Sequence, residues 1–182
     1  GTRASKGRAI QNVIQIEPDD AVRAYINVRR LDDREYVTSN YIIMCTKAGI
    51  VKKTLLEAYS RPRQNGVNAI TIKEGDQLIE AKLTSGDSEV LLAAKEGKAI
   101  RFNEKAIGRT GAGVKGITID GDDEVVGMIC VEKDRKEDIL VVSEHGYGKR
   151  TDLDDYRITN RGGKGVKTIN ITEKTGKLIS IQ

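Results

Sequence analysis

A basic box that ends in glycine and runs into an aliphatic stretch is written four times along this chain. It reads Ala4-Ser5-Lys6-Gly7-Arg8-Ala9-Ile10, then Arg63-Gln64-Asn65-Gly66-Val67-Asn68-Ala69-Ile70. It returns as Arg109-Thr110-Gly111-Ala112-Gly113-Val114-Lys115-Gly116-Ile117 and as Arg161-Gly162-Gly163-Lys164-Gly165-Val166-Lys167-Thr168-Ile169. The anchor glycines Gly7, Gly66, Gly113 and Gly165 are 59, 47 and 52 residues apart. A second landmark keeps the same period: Ala48-Gly49-Ile50-Val51-Lys52-Lys53-Thr54 aligns with Glu96-Gly97-Lys98-Ala99-Ile100-Arg101-Phe102 and with His145-Gly146-Tyr147-Gly148-Lys149-Arg150-Thr151. A period near fifty residues demands stacked or radially arranged units.

Within a period the residues predict four short strands. In the second unit they are 68–72, 78–83, 90–94 and 99–102; in the third, 115–119, 125–131, 139–142 and 148–151. They are rich in Val, Ile and Leu and separated by Gly/Asp turns such as Glu74-Gly75-Asp76 and Gly121-Asp122-Asp123. No stretch sustains a 3.6-residue apolar period; Leu55–Ser60 and Asp152–Tyr156 read as single helical turns. Four antiparallel strands per unit predict an all-β, propeller-like repeat fold, in which radial repetition covers the strand edges. The repeats fall near 1–62, 63–107, 108–160 and 161–182, the last partial, within one domain spanning 1–182. That is fewer than the roughly 4–8 blades of a closed propeller, so the expectation is a fragment of a larger disc or an open ring.

Composition narrows the function. With no Trp and one Phe, the core must be aliphatic. Cys45 and Cys130 lie in apolar strands of different units and read as buried, reduced thiols. No signal peptide and no apolar run long enough to span a bilayer is evident, which fits a cytoplasmic setting. The net charge of +4 conceals a strong partition. Residues 3–8, 47–54, 61–68, 95–105, 108–117, 144–151 and 157–167, which occupy equivalent places in successive units, carry 20 Lys/Arg against 3 Asp/Glu. The remainder carries 11 against 24. Equivalent places in a radial stack share one rim, and a basic rim suits a polyanion on a curved path.

Catalytic chemistry finds no foothold. The single His, His145, sits in a turn and cannot assemble a Ser/His/Asp set; no spacing resembles a zinc site, and the acidic runs are turn-like. Arg161-Gly162-Gly163-Lys164-Gly165 leads into a strand, whereas a nucleotide-cradling loop opens a helix. Closely spaced glycines and cations instead let backbone N–H groups and charge approach phosphate. There is no recognition helix to read base edges, and only seven aromatic rings exist for stacking on single strands. The expected partner is duplex DNA, held through its phosphates without sequence preference, and bent or wrapped. The candidate contacts are Arg3, Lys6, Arg8, Lys52, Lys53, Arg61, Arg63, Lys98, Arg101, Arg109, Lys115, Lys149, Arg150, Arg161, Lys164 and Lys167. No cofactor or metal is expected. A second reading is a protein-binding propeller that uses Arg29–Asn40 or Glu132–Asp138 as its contact loops.

The repeated box, together with Ile50-Val51-Lys52-Lys53-Thr54-Leu55-Leu56, Leu83-Thr84-Ser85-Gly86-Asp87-Ser88-Glu89-Val90 and Gly146-Tyr147-Gly148-Lys149-Arg150-Thr151, resembles the C-terminal domain of DNA gyrase A and of its topoisomerase IV relative. The resemblance covers essentially the whole chain. It implies a β-pinwheel whose blades exchange a strand with their neighbours, DNA wrapped around the basic rim in support of negative supercoiling, and partners in the rest of gyrase A and in gyrase B. It also places the active-site Tyr and the ATPase of the type II topoisomerase outside this chain. The family's diagnostic box, Gln-Arg-Arg-Gly-Gly-Lys-Gly, belongs to a first blade, whereas Arg161–Gly165 here follows Thr159-Asn160 and falls in a later one. The expectation is therefore that the chain comprises blades two onward, with topoisomerase IV as the alternative to gyrase.

Overall fold

The computed structural model describes residues 21–61, 63, 66–109 and 111–182. In chain order these form α1 (Arg34–Ser39), then strands β1 (Tyr41–Thr46), β2 (Ile50–Leu55), β3 (Leu78–Thr84), β4 (Ser88–Ala94), β5 (Lys98–Asn103), β6 (Val114–Lys115), β7 (Val125–Glu132), β8 (Asp138–Ser143), β9 (Gly148–Asp152), β10 (Val166–Lys167) and β11 (Leu178–Ile181). Single 3-10 turns at Leu56–Tyr59, Glu104–Ala106 and Leu153–Asp155 follow the second strand of each hairpin.

The three hairpins β1–β2, β4–β5 and β8–β9 are antiparallel and close through glycine. Gly49, Gly97 and Gly146 take φ of 87°, 88° and 81°, and their amides donate to Thr46, Ala94 and Ser143. A left-handed residue at this place matches hairpin closure to strand twist, which is why glycine recurs there.

Each hairpin then gains strands from further along the chain. The first sheet has the order β3-β1-β2-β6, the second β10-β5-β4-β7, and the third β11-β8-β9. Chain excursions build these orders. After β5 the chain crosses back to lay β6 on β2 (Ile50↔Lys115, Val51↔Val114), then returns to add β7 to β4. After β9 it lays β10 on β5 (Ala99↔Val166, Lys98↔Lys167), then adds β11 to β8. The strand exchange that the family resemblance implied is thus present twice. The box strands are shorter than the sequence predicts: 115–119 pairs only at Val114–Lys115, because Gly116 then turns to donate to Gly49 O over the first hairpin's tip. Residues 68–72 form no strand among the described residues. A helix the sequence did not predict, α1, lies within 29–40; Asp33 caps it by accepting from Tyr36 N at 3.2 Å.

The sheets stack as layers. Ile43, Cys45 and Val51 from the first sheet interleave with Val90, Leu92, Ile100 and Met128 from the second. Leu91, Ala93 and Ala99 face Ile139, Val141 and Leu178 of the third. β4 is buried along its whole length because even positions face one neighbouring sheet and odd positions the other. That two-sided burial explains its unbroken apolar run. Val37 of α1 covers the far side of the first sheet through Ile42, Met44 and Leu56.

Hairpin tips tie successive layers. Val125 N donates to Lys47 O and Leu178 N to Lys95 O; Lys47 pairs with Glu124 at 3.0 Å and Lys177 with Glu96 at 2.7 Å. Asp76 and Asp123 each accept from two amides at these tips, so these two carboxylates serve turn geometry.

Candidate nucleic-acid interface

The box strands are edge strands, so their side chains and the turns before them line one margin of the stack. Lys98 and Lys167 are Cα partners across β5 and β10, and both are exposed. Like charges placed directly opposite each other destabilise a sheet unless an anion bridges them. Lys149 is also exposed and donates from Nζ to Thr168 O at 3.2 Å. Together Lys149, Lys167 and Thr168 line a groove of about 320 Å³ that reaches Tyr156, whose hydroxyl is bonded to Thr168 Oγ1. Lys115, next along the margin, is exposed on β6. Lys164 is exposed 3.4 Å from Asp120 Oδ2, an open pair of the kind worth little. Among the described residues Lys98, Lys115, Lys149 and Lys167 have no carboxylate within ion-pair distance.

The remaining predicted contacts divide. Arg61, Arg63 and Arg109 are exposed. Lys52 is half-buried and donates to Ala69 O at 3.0 Å, the counterpart of the Lys149–Thr168 bond. Arg161 is half-buried and donates to the carbonyls of Ala106 and Lys115 at 2.8 and 3.0 Å. Arg150 is exposed and bonded to Asp138. Arg3, Lys6 and Arg8 lie outside the described residues.

Lys53 and Arg101 must be reassigned, because both are buried, at 5% and 7% exposure. Lys53 Nζ lies 3.0 Å from the Glu104 carboxylate and 4.5 Å from the centre of the Tyr41 ring. Glu104, fully buried, also accepts from Thr84 Oγ1 at 3.1 Å and Ser88 N at 2.9 Å. Arg101 pairs with Glu89 and donates to the Leu153 and Tyr156 carbonyls, each at 2.9 Å. Each cation therefore reaches from one hairpin to the 3-10 turn after the next, holding layers together. Charge alone made them look like phosphate contacts. An acid 12 residues earlier, Glu89 before Arg101 and Asp138 before Arg150, marks a cross-hairpin pair but not burial, since exposed Arg150 has one and buried Lys53 has Tyr41 at that place.

Among the described residues no group of three His, Cys, Asp or Glu side chains is placed to hold a metal ion, and no helix is long and apolar enough to cross a membrane.

Layered antiparallel sheets that take a strand from the next unit define a propeller-like pinwheel domain, and exposed lysines line one of its margins. The sequence matches the family described as DNA gyrase C-terminal domain, beta-propeller, at residues 40–85, 88–132 and 137–182, and the chain belongs to that family. It is 43% identical over 99% of its length to DNA gyrase A of Staphylococcus epidermidis (strain ATCC 12228 / FDA PCI 1200), and 42% identical to that of Staphylococcus aureus (strain NCTC 8325 / PS 47). It spans 20% of the length of each of these relatives. A solved C-terminal domain of DNA topoisomerase IV superposes with a TM-score of 0.82 at 26% identity, covering 96% of this chain and 53% of that one. A solved DNA gyrase A C-terminal domain has the same fold, with a TM-score of 0.81 at 23% identity, covering 98% and 58%.

Proposed function

We propose that this chain binds and wraps duplex DNA on its basic margin, as the C-terminal module of a gyrase A protein, and has no catalytic centre of its own. The observation that carries the reading is the facing pair Lys98–Lys167, flanked by Lys149, Lys115 and Lys164, with Lys115, Lys164 and Lys167 supplied by the repeated boxes. Bending ~20–30 bp by 40–90° costs on the order of 1–6 kcal/mol. Several phosphate contacts along a curved edge can offset that cost. In this reading strand cleavage and ATP hydrolysis belong to the rest of gyrase A and to gyrase B. Those are the protein partners, the setting is cytoplasmic, and the module itself needs no cofactor. Negative supercoiling follows from presenting wrapped DNA to the cleaving part of the enzyme with a fixed hand. The choice of gyrase over topoisomerase IV is supported by the gyrase A relatives.

The test is a duplex titration by fluorescence anisotropy across salt, using unrelated sequences of ~30 bp. Affinity should fall steeply with salt and vary little with sequence. Salt-independent binding, or none at low salt, overturns the proposal.

A further inference from the structure

Arg161 opens the fourth box, the most strongly basic of the set, yet its guanidinium is committed to backbone. Nε donates to Ala106 O at 2.8 Å and Nη1 to Lys115 O at 3.0 Å. Ala106 ends the 3-10 turn that leaves the second hairpin, and Lys115 lies on β6, which closes the first sheet. Arg161 itself leads into β10, which closes the second. The neighbouring backbone continues the junction. Gly162 N donates to Gly116 O at 2.7 Å, Thr118 N to Gly163 O at 2.8 Å, and Thr118 Oγ1 to Gly162 O at 2.6 Å. The third and fourth boxes are thus bonded to each other in both directions, with the arginine fork across one end.

We infer that Arg161 is a positioning residue, which locks the third box to the fourth so that Lys115 and the Lys164–Lys167 segment meet DNA at one fixed spacing. The inference rests on the DNA-binding reading above. A planar fork can satisfy two carbonyls at once, which a lysine ammonium on a flexible stem does not reproduce. Fixing the spacing beforehand spares the cost of ordering the lysine array when DNA arrives.

Four proteins decide the matter: wild type, Arg161→Lys, Arg161→Ala and Lys167→Ala. Each is titrated with duplex at several salt concentrations, and amide exchange is measured at Thr118 and Gly162. Arg161→Lys keeps the charge but loses the fork. It should bind about tenfold more weakly, on the scale of losing a charge-assisted hydrogen bond, with an unchanged salt slope and faster exchange at both amides. Lys167→Ala should make the slope shallower by about 0.9 and leave that exchange unchanged. The inference is overturned if Arg161→Lys keeps wild-type affinity and exchange while Arg161→Ala makes the slope shallower as Lys167→Ala does, since that is the behaviour of a phosphate contact. If Arg161→Ala does not fold, the charge-conserving variant still decides. A wild type without salt-dependent binding overturns the DNA reading and the presentation role with it, whereas unchanged exchange in Arg161→Lys overturns the lock alone.

Discussion

The carboxylate of Glu104 has no exposed surface, yet it gathers a lysine, a hydroxyl and a backbone amide from three strands of two sheets. A buried pair of this kind adds little over an apolar replacement, but losing one partner strands the other charge, at a cost of about 3–5 kcal/mol. Glu104→Ala should therefore lower the chemical-denaturation stability by that amount, while a paired Lys53→Met/Glu104→Leu change should recover most of it. The thiols give a second expectation at this scale. Burial pushes Cys130 up to about 12 and raises Cys45 further, with the Glu104 and Asp76 carboxylates adding to the effect. Alkylation at pH 8.5 should be slow in the native chain and fast in urea. The folded state keeps protons that the unfolded thiols release near 9, so these cysteines contribute stability that is whole below that pH and falls as pH rises from there toward 12. What the sequence revealed here was apolar context: both cysteines sit in aliphatic strands, and Cys45 is fully buried while Cys130 is half-buried. What it concealed was partnership, since Lys53 and Arg101 align in register with the exposed Arg150 and only packing separates them.

Hairpins were legible because a local signal specifies them: a glycine at a left-handed position between two aliphatic runs. The box strands are shorter than their aliphatic runs because nothing local ends them; their extent is set by the neighbouring hairpin on which they lie. The closeness of that fit makes a prediction. A Cβ at Gly165, where φ is 78°, would lie 2.5 Å from Ala99 O on the facing strand. Gly146 has a similar φ of 81° but nothing within 4 Å. Both substitutions to Ala carry the ~1–2 kcal/mol of left-handed backbone. Gly165→Ala must also push β10 off β5, so its melting temperature should fall distinctly further than that of Gly146→Ala. Equal losses would mean that β10 yields without cost.

At the scale of the molecule, the fifty-residue period announced a stack of four-stranded sheets, and the partition of charge announced a basic margin. The crossing of strands between sheets could not be read from spacing, because a box joined to its own hairpin would have the same sequence period as one lent to the previous hairpin. The margin yields a number. If Lys98, Lys115, Lys149, Lys164 and Lys167 each contact a phosphate, the slope of log affinity against log salt should be about −4 to −5. Substituting Lys53 should leave that slope unchanged. A slope near −1 would mean that the array does not act together.

The lending of strands also imposes an order in time. During synthesis the outer edge of β2 stays bare until β6 has been made, and from Leu55 to Val114 a ribosome adding 5–20 residues per second needs roughly 3–12 s. The edge of β5 waits in the same way for β10. From the end of β2 until β10 is made the nascent chain therefore carries at least one unfinished sheet, completed by a segment not yet translated, and the first sheet closes before the second. A pause in translation just before a box leaves an aliphatic hairpin edge open to a neighbouring polysome's chain.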